Sequence, residues 1–194
     1  SIISRIKSNK ILKSGVNYSI FSTISTLCTM VIGFLNMRWL GPELLGLWQS
    51  LTVINLYLPF LQLGIQSGLN LELPLALGAE DNQRAKRLVS TGLAFATLLA
   101  IILFVSAMVV LSFMYYKGVT NDILIGTFAI FVIAIISCFR LHFIATYRSS
   151  NAFDRLTNIY KIEIITKIIL VYAIYKYHYY GLLLFNVGIE LVFT

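Results

Sequence analysis

The sequence predicts an all-α integral membrane protein, and three observations carry that expectation. Of 194 residues, 58% are hydrophobic and only 12% are charged, where a soluble domain carries about a quarter. The apolar residues arrive in blocks, several long enough to cross lipid, separated by short polar patches. The mean hydropathy of +0.84 agrees.

The first block, Val16 to Met37, carries no charge. At 1.5 Å per residue it spans about 33 Å, enough for the hydrocarbon core. Arg5, Lys7, Lys10 and Lys13 precede it, as they would a signal peptide. The block is longer than the roughly 7–15 residues of a signal core, and Trp39-Leu40-Gly41-Pro42-Glu43 is a poor cleavage site.

The second block, Leu44 to about Ala76, is longer than one crossing needs. It holds Pro59, then Gly64 and Gly68. Proline removes an intrahelical hydrogen bond, so one tilted, kinked span is expected rather than two re-entrant pieces. Residues 78–87 read as a polar loop. A third block runs from Leu88 to Met114, and a fourth from Ile123 to about Tyr147, with interfacial tyrosines in the loop between them. Residues 148–155 read as the next loop. A fifth block runs from about Leu156 to Tyr175, followed by the aromatic turn Lys176-Tyr177-His178-Tyr179-Tyr180. A sixth starts at Gly181 and stops at Thr194, short of the roughly 20 residues a crossing needs. A chain that opens on Ser1 and stops mid-span reads as part of a longer protein.

Lys and Arg in the short loops set orientation. Arg5, Lys7, Lys10, Lys13, Arg84, Lys86, Arg87, Arg148 and Arg155 fall on one side, and Arg38, Lys117 and Lys176 on the other. That asymmetry places the N-terminus in the cytoplasm. It also accounts for the net charge of +7 without nucleic acid, for which no polar segment offers a basic patch with interleaved aromatics. Cys28 and Cys138 lie inside apolar blocks and read as small buried residues.

Two polar stripes run at helical spacing. In the first block these are Tyr18, Ser22, Ser25, Thr29, Gly33 and Asn36, which suit hydrogen-bonded helix packing. In the second they are Thr52, Asn55, Gln62, Gln66 and Asn70, which suit either packing or a polar cavity. A charge within a span normally faces the bundle interior. Arg140 in the fourth block and Lys161 and Lys167 in the fifth are therefore candidate cavity cations. Snorkelling to the headgroups is the competing reading for Arg140 and Lys161, and pairing with Glu163 four residues away for Lys167. These cations outnumber Glu163, so the cavity is expected to suit an anion. Glu72 and Glu190, near a span end or in the truncated sixth block, are left out of that count. His142 and His178 are isolated. Loops too short for a catalytic domain, and no nucleophile, metal or phosphate-loop constellation, point away from an enzyme.

The stretch Arg38-Trp39-Leu40-Gly41-Pro42-Glu43-Leu44-Leu45-Gly46-Leu47-Trp48 resembles the R-x-L-G-P-x-x-x-G-x-W/Y signature that follows the first helix of polysaccharide-type exporters. Leu63-Gly64-Ile65 and Ala76-Leu77-Gly78, with the charged residues Asp81 to Arg87, continue the pattern. The family is the polysaccharide biosynthesis (O-antigen, Wzx-type) flippase branch of the multidrug/oligosaccharidyl-lipid/polysaccharide exporter superfamily. Helix spacing extends the resemblance over nearly the whole chain, but specific motifs cover only residues 38–88.

The resemblance implies twelve or more helices in two six-helix lobes, of which this chain would be the N-terminal lobe, cut in its sixth helix. It implies a bacterial inner-membrane protein that flips an undecaprenyl-pyrophosphate-linked oligosaccharide by alternating access. No cofactor is implied. The implied partners are the anionic lipid-linked oligosaccharide and membrane lipids, with room for other polysaccharide-assembly proteins. Arg140, Lys161 and Lys167 would then meet phosphate, and Asn55, Gln62, Gln66 and Asn70 sugar hydroxyls. The alternatives are a lipid-linked peptidoglycan precursor flippase, a cation-coupled multidrug (MATE-type) exporter, a membrane glycan polymerase or ligase, and a non-transporting truncated product. An uncharged first helix speaks against the multidrug branch, and short outer loops against the polymerase or ligase.

Overall fold

A computed structural model describes the backbone of residues 2–192 and the side chains of residues 12–192. The side chains of Arg5, Lys7 and Lys10, and Phe193 and Thr194 of the sixth predicted block, lie outside the described residues. Among the described residues seven helices follow in order: α1 (Ile2–Trp39), α2 (Pro42–Leu56), α3 (Leu58–Leu61), α4 (Ile65–Gly78), α5 (Asn82–Tyr116), α6 (Asn121–Ser149) and α7 (Phe153–Leu191). There is no strand among the described residues. Among the described residues five stretches are long and apolar enough to cross a membrane: Leu12–Trp39, Pro42–Leu61, Asn82–Tyr116, Asn121–Ser149 and Phe153–Leu191. The chain is an all-helical, multi-pass membrane protein.

Three of the reversals use one device. After α4, α5 and α6 the second residue beyond the helix turns left-handed: Glu80 at φ 56°, Gly118 at 67° and Asn151 at 56°. The following amide then reaches back five residues, from Asp81 to Ala76 O, Val119 to Met114 O and Ala152 to Tyr147 O, at 3.0, 3.2 and 2.9 Å. This motif satisfies carbonyls that a helix end would leave bare. Asp81 then caps α5, its carboxylate accepting from the Arg84 amide at 2.9 Å. So residues 82–87, expected as loop, form the first turns of α5, and the loop of 148–155 shrinks to residues 150–152.

The second predicted block is one crossing in three pieces. α2 breaks at Tyr57, ahead of Pro59, and the chain breaks again where Leu63 and Gly64 are left-handed at φ 50° and 75°. The pieces meet successive levels of α6. Trp48 of α2 packs with Ile130 and Ile133, Leu58 of α3 with Ala134 and Cys138, and Leu69 and Leu73 of α4 with Ala145. The expected single kink is thus two backbone breaks around a short central helix.

The fifth and sixth predicted blocks are the two arms of α7. His178 leaves helical geometry at φ 50° and ψ −115°, and the chain turns back on itself there. Gly181 lies so near the preceding arm that a Cβ would overlap the Ala173 carbonyl. A Cβ on Gly188 would meet the Leu170 side chain at 2.5 Å.

α1 packs along α7, α7 against α6, and α6 against α5, with α4 across α5 and α6. Small residues let the backbones approach: Gly92, Ala96, Ala100 and Ala107 form much of the buried face of α5. The outer faces stay apolar, with Phe34, Ile101, Phe104, Val109 and Ile169 exposed. In lipid such a surface costs nothing, whereas a bare backbone or charge would.

Candidate functional site

α1, α6 and α7 enclose a groove of about 540 Å³, lined by Ser22, Ser25, Thr26, Thr29, Met30, Arg140, Tyr160, Glu163 and Lys167. It is polar in a bundle whose outer faces are apolar. The hydroxyl stripe of α1 supplies one wall because spacings of three and four hold Ser22, Ser25 and Thr29 on one face.

Lys167 and Glu163 are one turn apart on α7 and pair at 2.6 Å, each side chain only 4% exposed. α1 completes the arrangement. Lys167 Nζ donates to the Ser25 carbonyl at 3.1 Å, and to the hydroxyls of Ser25 and Thr29 at 2.7 Å each. The Ser25 hydroxyl donates to Glu163 Oε1 at 2.9 Å. Glu163 Oε2, also buried, has no hydrogen-bond partner among the described residues. An ammonium held by a carboxylate and three further oxygens can reside in lipid surroundings where a lone one could not.

Arg140 reaches the groove from α6. Its guanidinium pairs at 2.5 Å with Glu190 on the returning arm of α7, with side-chain exposures of 27% and 13%. Ser137, one turn earlier on α6, donates to the other oxygen of Glu190 at 3.1 Å. Glu190 is the carboxylate beside the groove that the sequence reading left aside. Its only sequence signal was a charge within an apolar block, and its partner lies 50 positions away.

The structure corrects two expectations about the site. The expected positive excess is absent, since Arg140 and Lys167 each face a carboxylate and the groove is charge-balanced. Lys161 does not line the groove. It is exposed, with its ammonium 4.9 Å from the centre of the Phe21 ring. Six positions before Lys167 is about 120° around the helix, which turns it to another face.

The amides form a separate set. Gln62 and Gln66 border a small cavity of about 10 Å³ between α4, α5 and α6, with Gly92, Cys138 and His142. That volume holds about one water. Asn70 accepts from the Ser149 hydroxyl at 3.1 Å. Asn55 is half-buried on α2, its Oδ1 without a hydrogen-bond partner among the described residues. None of the four lines the groove of Arg140 and Lys167, because the breaks at Tyr57 and Leu63–Gly64 disrupt the single helical face their spacing suggests.

No protein-family model, curated protein or solved structure matches this chain.

Proposed function

We propose that this chain is the N-terminal lobe of a polysaccharide-type exporter, one that moves an undecaprenyl-pyrophosphate-linked oligosaccharide across the bacterial inner membrane by alternating access. The observation that carries the reading is the polar groove at α1, α6 and α7, with Arg140 and Lys167 in its wall. The signature over residues 38–48 supports it.

A hydrated, charged sugar head cannot cross hydrocarbon unaided. A groove of hydroxyls and paired ions offers it polar surroundings while the lipid tail stays in the bilayer. Arginine suits phosphate because its planar fork makes paired, charge-assisted bonds. The basic residues at one end of the bundle, Arg84, Lys86, Arg87, Arg148 and Arg155, support a cytoplasmic N-terminus. The protein acts without bond chemistry of its own and needs no cofactor. Its partners are the lipid-linked anionic oligosaccharide and membrane lipids.

The test is complementation in a strain that lacks its own flippase and makes the matching repeat unit. The complete gene product is expected to restore surface glycan, and Arg140→Ala to lower it at least tenfold at equal protein level. Restoration by Arg140→Ala at the wild-type level would remove Arg140 from the site. Failure of the unmutated protein with every repeat unit tried would sink the proposal.

One observation favours a second reading. Glu163 and Glu190 place two carboxylates in or beside the groove, so the lack of acidic residues in the first helix no longer disfavours a cation-coupled exporter. Efflux of a cationic dye that depends on Glu163 or Glu190, without glycan restoration, would select that reading.

A further inference from the structure

We propose that Glu163 and Glu190 are resident occupants of the two groove cations, and that an anionic ligand binds by displacing them. The groove is then selective for a ligand with two linked negative charges, such as a diphosphate diester. This rests on the reading of the groove as an anion-transport site, and adds to it the group that the anion must replace.

The geometry supplies the asymmetry that displacement needs. Lys167 keeps the Ser25 carbonyl and the Ser25 and Thr29 hydroxyls when its carboxylate leaves, so the ammonium is never stranded. Glu163 is held through Oε1 alone, while Oε2 is buried with no hydrogen-bond partner among the described residues. It is the less completely solvated half of the pair, and an unsatisfied buried carboxylate oxygen is costly. Glu190 is held through both oxygens, by Arg140 and Ser137, at greater exposure than Glu163.

At rest the two pairs cancel. A single negative charge that replaces one carboxylate exchanges like for like and gains little. A diphosphate that meets both cations exchanges twice within one molecule, so its second contact carries no further association entropy.

The experiment uses the full chain in lipid nanodiscs and UDP-N-acetylglucosamine, a soluble diphosphate diester that stays doubly charged across the working pH range. Glu163→Gln and Glu190→Gln are each expected to bind it roughly tenfold more tightly than wild type, the low end of what close charge pairs are worth. Glu72→Gln, which breaks an exposed pair with Arg84 outside the groove, is expected to match wild type. If wild type binds but both glutamine variants, folded by size-exclusion profile, bind equally or more weakly, the carboxylates are not competitors. The displacement idea then fails while the transport reading stands. If neither wild type nor any variant binds the diphosphate, both fail.

Discussion

The Glu163–Lys167 pair shows what a charge needs in order to live inside a membrane bundle. Its spacing of four residues on an apolar helix was legible in the sequence, because i and i+4 share a face. Its completion by Ser25 and Thr29 was not, since those residues are 138 and 142 positions away from their partners. The same limit hid Glu190 from Arg140. Sequence spacing reveals partners along one helix and is silent about partners across helices. Breaking the pair from one side should therefore be worse than removing it. Lys167→Met leaves Glu163 buried and uncompensated and is expected to cost about 3–5 kcal/mol, whereas Lys167→Met with Glu163→Gln recovers most of the loss. Thermal denaturation of both variants in one detergent checks the order. A double variant no more stable than the single would show that the carboxylate is not the burden.

At the scale of the element, every apolar block proved largely helical, but α2, α3 and α4 share the second block and α7 joins the fifth and sixth. Helices run past the blocks where charged side chains begin them, α1 from Val16 back to Ile2 and α5 from Leu88 back to Asn82. The charged opening of α5 illustrates why. Arg84, Lys86 and Arg87 read as loop by polarity, yet Asp81 caps a helix there and the charges extend beyond the apolar region. Breaks were harder to read than blocks. Pro59 and Gly64 marked the second crossing as irregular, but the left-handed Leu63 carries no sequence mark. The hairpin of α7 turns at His178, whose ψ of −115° puts it outside the left-handed helical region where a positive φ is tolerated. What makes the hairpin work is Gly181, whose missing side chain lets the returning arm close on Ala173. Gly181→Ala must move backbone against backbone. Gly92→Ala meets side chains rather than backbone, chiefly the His142 ring, whose Cε1 lies 2.9 Å away, and a side chain can shift. Both overpack, and the typical cost is about 1–3 kcal/mol. Gly181→Ala is expected at or above the top of that range and Gly92→Ala near the bottom, read as loss of the folded fraction on heating. The opposite order would contradict the tight return of the chain.

For the whole molecule the decisive feature is that large apolar side chains cover the outside as well as filling the core, while paired ions are held within. Composition and block length made the apolar exterior legible in the sequence. The location of the groove was not legible, because it depends on which three helices meet. With the N-terminus in the cytoplasm, the turns at residues 79–81 and 150–152 share its side, and those at 40–41, 117–120 and near His178 lie opposite. Single cysteines at Glu80 and Lys117 separate the two sides. Cys138 is buried and Cys28 half-buried within an apolar span, so both are replaced by serine only if they react. In intact cells whose outer membrane admits the reagent, a membrane-impermeant maleimide is expected to label Lys117→Cys and not Glu80→Cys. Opening the inner membrane should expose Glu80→Cys as well. Glu80 and Lys117 end opposite termini of one 35-residue helix, about 52 Å long, so equal labelling of both in intact cells would mean that α5 does not cross. Labelling of Glu80→Cys alone would keep the crossing and reverse the orientation. The bias of Arg and Lys toward the N-terminal side would then need another cause, such as direct contact with acidic lipid headgroups on the outer face.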